Sequence, residues 1–314
     1  MSSGKTAVLF PGQGSQYIGM GKEFTETDSE ALAILDQAEA ISGFPLKKQC
    51  LEGPMEELTV ASCLQPALTA VNLLCWHAVR KAGLTADYFA GHSLGEYSAL
   101  CAAGVLSVED TLKLVTERGR IMGETGKKRP GGMAAILGLT YAEVEAILES
   151  LASPTEISIG NYNSTQQIVL SGSKEALAKA GNLAVNKGGK AITLNVSIAN
   201  HSPLMSEAVD FFEKSFDGIE LCPPATPVFF NVSGQIESDV QQIRSLMVRQ
   251  IVSMVRWCDI INGLLEHGVD TFVEVGPKKV LTGLMKRMLP KGGAHRCFQI
   301  DTPALLQKYM ESAS

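Results

Sequence analysis

The segment Gly91-His92-Ser93-Leu94-Gly95 has the form Gly-x-Ser-x-Gly and lies between a short apolar run, Tyr88-Phe89-Ala90, and a small-residue helical pattern over 96–103. A strand-to-helix turn this tight leaves no room for side chains at its flanks, which accounts for the two glycines. It also presents the serine hydroxyl at a helix N-terminus, where N–H groups and the helix dipole favour negative charge. The competing reading is an ordinary glycine-flanked turn with a serine cap. The strand on one side and the helix on the other favour Ser93 as a nucleophile.

A serine hydroxyl needs a base, and the sequence offers five histidines. His77 falls in the apolar helix around Trp76 and is expected to be a core residue. His92 adjoins the nucleophile but points away from a sharp turn, as a support of the elbow. His267 precedes Gly268 at a helix C-terminus, and His295 lies in a basic, Gly-rich segment. His201, in Asn200-His201-Ser202-Pro203, is left as the base. No Asp or Glu announces itself as a third member, and a backbone carbonyl can equally fix the imidazole tautomer.

Arg118 lies within the apolar stripe of a helix that begins at Ser107, four residues from both Leu114 and Met122. A guanidinium aimed at a core must be paired. A structural ion pair or a snorkelling side chain satisfies that need, and so does a carboxylate supplied by a substrate.

The rest of the 314 residues must position these groups. Hydrophobic residues make up 45% and charged residues 19%, which suits a soluble protein with a large core and excludes disorder or a coiled coil. Aromatics at 6% and a net charge of −6 argue against a nucleic-acid partner, and no apolar run is long enough for a bilayer. Seven scattered cysteines without a Cys-x-x-Cys pair fit reduced thiols in a cytoplasm, with no metal site. Pro11-Gly12-Gln13-Gly14 follows the strand Ala7–Phe10, but Tyr17 stands where a dinucleotide loop needs its third glycine.

Short apolar strands at 7–10, 88–90, 227–232 and 271–275 alternate with helical patterns, including 204–216 and 241–254, and predict a parallel sheet covered on both faces. The middle of the chain reads differently: strand 133–137, helix 141–151, strands 156–160 and 167–170, helix 174–186, strand 190–196. This β-α-β-β-α-β order is that of a ferredoxin-like unit. The predicted organisation is a large subdomain of residues 1–129 and 198–314 with an inserted small subdomain of residues 130–197.

Taken in order, Phe10-Pro11-Gly12-Gln13-Gly14-Ser15-Gln16, Gly91-His92-Ser93-Leu94-Gly95-Glu96, Arg118-Gly119 with Met122, Asn161-Tyr162-Asn163, His201-Ser202-Pro203-Leu204-Met205 and Glu274-Val275-Gly276-Pro277 resemble the motifs of the malonyl-CoA:acyl carrier protein transacylases. The resemblance covers nearly the whole chain. It implies an α/β-hydrolase-like large subdomain with the ferredoxin-like insertion, and transfer of malonyl groups from malonyl-CoA to acyl carrier protein through an ester on Ser93. It further implies His201 as base and then acid, the N–H groups of Gln13 and Leu94 as the oxyanion hole, and Arg118 on the malonyl carboxylate. The stretch 250–257 is similar to the family's segment whose backbone carbonyl orients the histidine, which carries Gln250 over to that role. His92, Asn163 and Asn200 are candidates for the substrate pocket.

Two positions depart from the pattern: Met254 stands where the family often has proline, and Asn200 where malonyl-selective members usually have phenylalanine. Leu94 follows the malonyl pattern. No cofactor is implied, since the CoA thioester is a substrate and phosphopantetheine travels on the carrier. Carrier proteins are acidic, so Lys278, Lys279, Lys286 and Arg287 are candidate docking residues on an otherwise acidic chain. The rival activities are hydrolysis of the same acyl-serine, service to polyketide rather than fatty acid assembly, and a catalytically silent carrier scaffold.

Overall fold

The strand Lys5–Phe10 (β1) sends Val8 and Phe10 to one face and Ala7 and Leu9 to the other, and all four are buried. Burial on both faces is what a central parallel strand requires. In the computed structural model, which describes residues 4–290 and 292–313, β1 pairs in parallel with Tyr88–Gly91 (β2) on one side and with Val269–Val275 (β8) on the other. Val228–Phe229 (β7) and Arg296–Ile300 (β9) complete the parallel order β7-β2-β1-β8-β9. One face carries the helices Ala61–Lys81 and Val108–Lys128, and the other carries Trp257–Glu266 and Val280–Met288.

A second sheet is formed by Gly132–Leu137 (β3), Ile157–Ser164 (β4), Gln167–Gly172 (β5) and Lys190–Thr193 (β6), antiparallel in the order β4-β5-β3-β6. The helices Tyr141–Leu151 and Lys174–Asn186 pack on Ile136, Ile168 and Leu170. Each starts where its sequence provides a cap: a Thr140–Glu143 capping box and Ser173. With β3 and β5 central, this is the ferredoxin-like arrangement. Its other face presents Met133, Ala135 and Val169.

Three predicted elements are shorter than expected, and in the first two the shortening serves the site. The helix predicted to 254 ends at Arg249, because the chain then turns to offer the Gln250 and Ile251 carbonyls to His201. The strand predicted over 227–232 is confined to Val228–Phe229, which frees Asn231 to leave the sheet edge. The strand predicted to 196 ends at Thr193, with all four of its residues exposed. The parallel strand β9 and the helix Pro303–Ala313 were not anticipated. His77, expected in the core, is half-buried and faces Asp28 and Glu30 at 3.4 and 3.3 Å. Among the described residues no helix is long and apolar enough to cross a membrane.

Candidate active site

The glycines around Ser93 are required by contact. A Cβ on Gly91 would fall 2.0 Å from the Gly95 carbonyl carbon, and one on Gly95 would fall 2.1 Å from the Phe10 carbonyl oxygen. Gly12, in the loop after β1, abuts the same turn: its added Cβ would be 2.4 Å from the His92 oxygen and 3.6 Å from the Leu94 nitrogen. The chain thus passes from β2 to the helix Gly95–Ala102 with Ser93 at φ 50°, a left-handed conformation rare for a residue with a side chain. The crevice outside the carboxyl ends of β1 and β2 is where open parallel sheets place ligands. Leu94 caps the helix, and among the described residues neither its N–H nor that of Gln13 donates to a protein acceptor.

His201 meets Ser93 from the far side, 108 residues along the chain, with Nε2 2.7 Å from Ser93 Oγ. Its own backbone is left-handed, φ 61°, and its N–H donates to the Ile251 carbonyl at 3.0 Å. The Nδ1 atom lies 2.8 Å from the Gln250 carbonyl oxygen, which can only accept. Nδ1 therefore holds the proton and Nε2 is free to take one from the serine. Burial, reinforced by the Arg118 guanidinium, drives the imidazole pKa down to about 3, so the ring is neutral across the physiological range.

Arg118 is completely buried. No carboxylate pairs with it among the described residues; NH1 donates to Gln65 Oε1 at 2.8 Å and NH2 to Gln250 Oε1 at 3.0 Å, while Nε has no partner. The Tyr97 ring covers the guanidinium at 5.5 Å. Burial pulls its pKa down, and Tyr97 and Glu96 oppose that pull. A buried cation with donor capacity to spare is chemically suited to receive an anion.

Gln250 is the node of the site. Its carbonyl accepts from His201, its Oε1 accepts from Arg118, and its Nε2 donates to the Ser93 carbonyl at 3.1 Å and to Glu96 Oε1 at 2.8 Å. His92 turns its Nε2 to Asn163 Oδ1 at 2.8 Å and packs its ring on Trp257, so it braces the elbow against β4. A crevice of about 350 Å³ opens beside them, lined among others by Gln13, His92, Asn163, Ala135, Val169 and Arg287. Asn200 directs its carboxamide to Met133 Sδ, 3.9 Å away on β3.

Lys278 and Lys279 sit exposed ahead of the Val280–Met288 helix, and Lys286 and Arg287 in its last turn. Lys278 Nζ reaches the Gly14 carbonyl at 3.5 Å. Arg287 spans to Gln167 Oε1 at 2.9 Å on the small sheet. The described residues hold one grouping of three potential metal ligands, Asp28, Glu30 and His77, and Lys81 already pairs with both of its acids at 2.9 and 3.1 Å.

Gln65, Glu96 and Asn231 belong to this cluster and were not assigned roles from the sequence. Gln65 carried a signal: with Thr69 and Asn72 it forms a polar row at helical spacing inside an apolar helix, and all three are fully buried. Asn231, a lone carboxamide after Phe229-Phe230, marked the carboxyl end of a strand.

A neutral imidazole in contact with a serine hydroxyl, with unengaged backbone amides beside it, is equipped to accept an acyl group and pass it on. On a sheet of this kind it defines a serine acyl-transfer protein of α/β-hydrolase-like fold. The chain belongs to the acyl transferase domain family, whose pattern spans residues 8–301. It is 40% identical over 286 residues to the malonyl CoA-acyl carrier protein transacylase of Bacillus subtilis, covering 90% of each chain. A polyketide biosynthesis protein of Burkholderia thailandensis is 41% identical over 291 residues, 92% of this chain and 24% of that protein. The crystal structure of an acyl carrier protein S-malonyltransferase from Vibrio cholerae superposes with a TM-score of 0.92 at 35% identity, covering 97% of this chain and 99% of that one.

Proposed function

We propose that the protein moves a malonyl group from malonyl-CoA to the phosphopantetheine thiol of acyl carrier protein, supplying extender units for fatty acid synthesis. Ser93 Oγ attacks the thioester carbonyl as His201 Nε2 takes its proton. The tetrahedral oxyanion is held by the Leu94 and Gln13 N–H groups, then collapses, and the proton passes to the departing CoA sulfur. The carrier thiol repeats these steps in reverse on the malonyl-serine ester. Arg118 binds the free carboxylate throughout, and Gln250 fixes the imidazole through its carbonyl. No cofactor takes part.

One observation carries this reading: Gln250 touches Ser93, His201 and Arg118 at once, so nucleophile, base and anion receptor share a single hydrogen-bonded frame. The crevice beside them accommodates the pantetheine arm, with His92, Asn163 and Asn200 near the acyl end. In this reading residues 1–129 and 198–314 form the catalytic subdomain and 130–197 the inserted wall of the cleft. Lys278, Lys279, Lys286 and Arg287 receive the acidic carrier, and the seven unpaired cysteines suit a cytoplasmic setting.

The test is intact-mass spectrometry after mixing with malonyl-CoA, followed by holo-carrier protein. A malonyl adduct mapped to Ser93 that discharges onto the carrier is expected. Release of malonate without carrier would indicate a hydrolase, and no adduct would remove the enzyme reading. Parallel transfer to fatty acid and polyketide carriers separates the two pathways.

A further inference from the structure

The left-handed backbone of Ser93 persists only where its surroundings over-determine it. Besides the Glu96 N–H, which donates to the Ser93 carbonyl at 3.0 Å, those surroundings include two carboxamides. The Ser93 N–H donates to Asn231 Oδ1 at 2.6 Å, and Asn231 Nδ2 donates to the Gly91 carbonyl at 2.7 Å. One side chain therefore spans the last carbonyl of β2 and the amide of the nucleophile, closing a ring around the turn. From the other side Gln250 Nε2 donates to the Ser93 carbonyl at 3.1 Å. Both backbone polar groups of Ser93 are thus held by elements more than a hundred residues away in sequence, at separations of 138 and 157.

Glu96 joins the two holders. Its Oε2 accepts the Asn231 backbone N–H at 2.5 Å and its Oε1 accepts from Gln250 Nε2 at 2.8 Å. Asn231 and Glu96 are both fully buried, so water cannot replace either partner.

We propose that Asn231 is a positioning residue for Ser93, with Glu96 as the buried anchor that holds both Asn231 and Gln250 against the turn. This rests on the reading of Ser93 as the nucleophile. Asn231 has two effects. It keeps the serine oxygen on the imidazole, and it occupies the Ser93 N–H, which leaves the Leu94 and Gln13 amides as the donors facing a developing oxyanion. Arg118 is not bonded to Asn231, so its removal disturbs the placement of the nucleophile and not recognition of the acyl carboxylate.

The experiment uses the full chain and single-turnover acylation by malonyl-CoA and by acetyl-CoA, each rate expressed per folded molecule from the melting curve. Labelling of Ser93 in the unaltered protein is read first, and its failure sinks the nucleophile reading alone. Asn231→Ala is expected to lower the maximal acylation rate on the order of 10²-fold, the cost of roughly an ångström of misplacement. The loss should be the same for both acyl groups, with the half-saturating malonyl-CoA concentration unchanged. Glu96→Gln, which keeps the shape but offers one acceptor where two donors converge, is expected to lower the rate in the same pattern and decides the matter if Asn231→Ala does not fold. Normal maximal rates in folded variants, a raised half-saturation at unchanged rate, or a loss confined to malonyl-CoA would overturn the proposal.

Discussion

If the proposed roles hold, replacing Arg118 with alanine should separate recognition of the acyl group from the chemistry at Ser93. The guanidinium is fully buried and donates to the neutral oxygens of Gln65 and Gln250, and among the described residues its Nε has no partner. In the proposed function a malonyl carboxylate bound there would complete a buried ion pair, and deleting one member of such a pair costs about 3–5 kcal/mol. At ~1.4 kcal/mol per tenfold, malonyl transfer to Ser93 in Arg118→Ala should fall on the order of 10²- to 4 × 10³-fold. Acetyl-CoA carries no carboxylate, so its acylation rate should fall far less or rise. The two orphaned glutamine oxygens should instead appear as lost stability of ~1–3 kcal/mol. Arg118→Lys keeps a charge but lacks the planar fork that bridges Gln65 and Gln250, and it should recover only part of the malonyl rate. The assay is rapid-quench acylation read by intact mass with each acyl-CoA. Equal losses for malonyl and acetyl would refute the assignment of Arg118 to the carboxylate.

Four further outcomes follow from the same geometry. With its folded pKa depressed to about 3, His201 stays neutral while an unfolded-state histidine takes up a proton below its usual 6.5. Its contribution to stability is therefore complete above 6.5 and is lost as pH falls toward 3, and His201 itself should contribute no inflection to acylation near neutral pH. Burial lifts Glu96 to about 7, against the pull of Asn231, Gln250 and Arg118. An inflection in kcat/KM near that pH should accordingly disappear in Glu96→Gln, and its persistence would exclude Glu96 as the source. Gly91→Ala places a methyl 2.0 Å from the Gly95 backbone, so a sharply lowered Tm and unlabelled Ser93 are expected; an unchanged melting curve would contradict the packing of the turn. Charge reversal at Lys278, Lys279 and Lys286 should slow discharge to carrier protein in stopped-flow assays while leaving acylation by malonyl-CoA intact. Equal slowing of both half-reactions would move the docking surface elsewhere.

What could be read from the sequence was local. The elbow was legible because its glycines answer to steric demands within five residues, and the small subdomain because strand and helix periods, with caps at Thr140 and Ser173, repeat over short spans. His201 emerged by elimination among few histidines, and the apolar stripe exposed Arg118 as misplaced. Tertiary structure decided what those residues touch. Arg118 finds Gln65 and Gln250 at separations of 53 and 132 residues, Ser93 finds Asn231 at 138, and the helix predicted through 254 gives way at 250 so that a carbonyl can meet an imidazole. Periodicity reports which face of an element is buried, but a hydrogen bond between distant elements leaves no period behind. Its partners become visible only when the sheet order and the cleft between the two sheets bring them together.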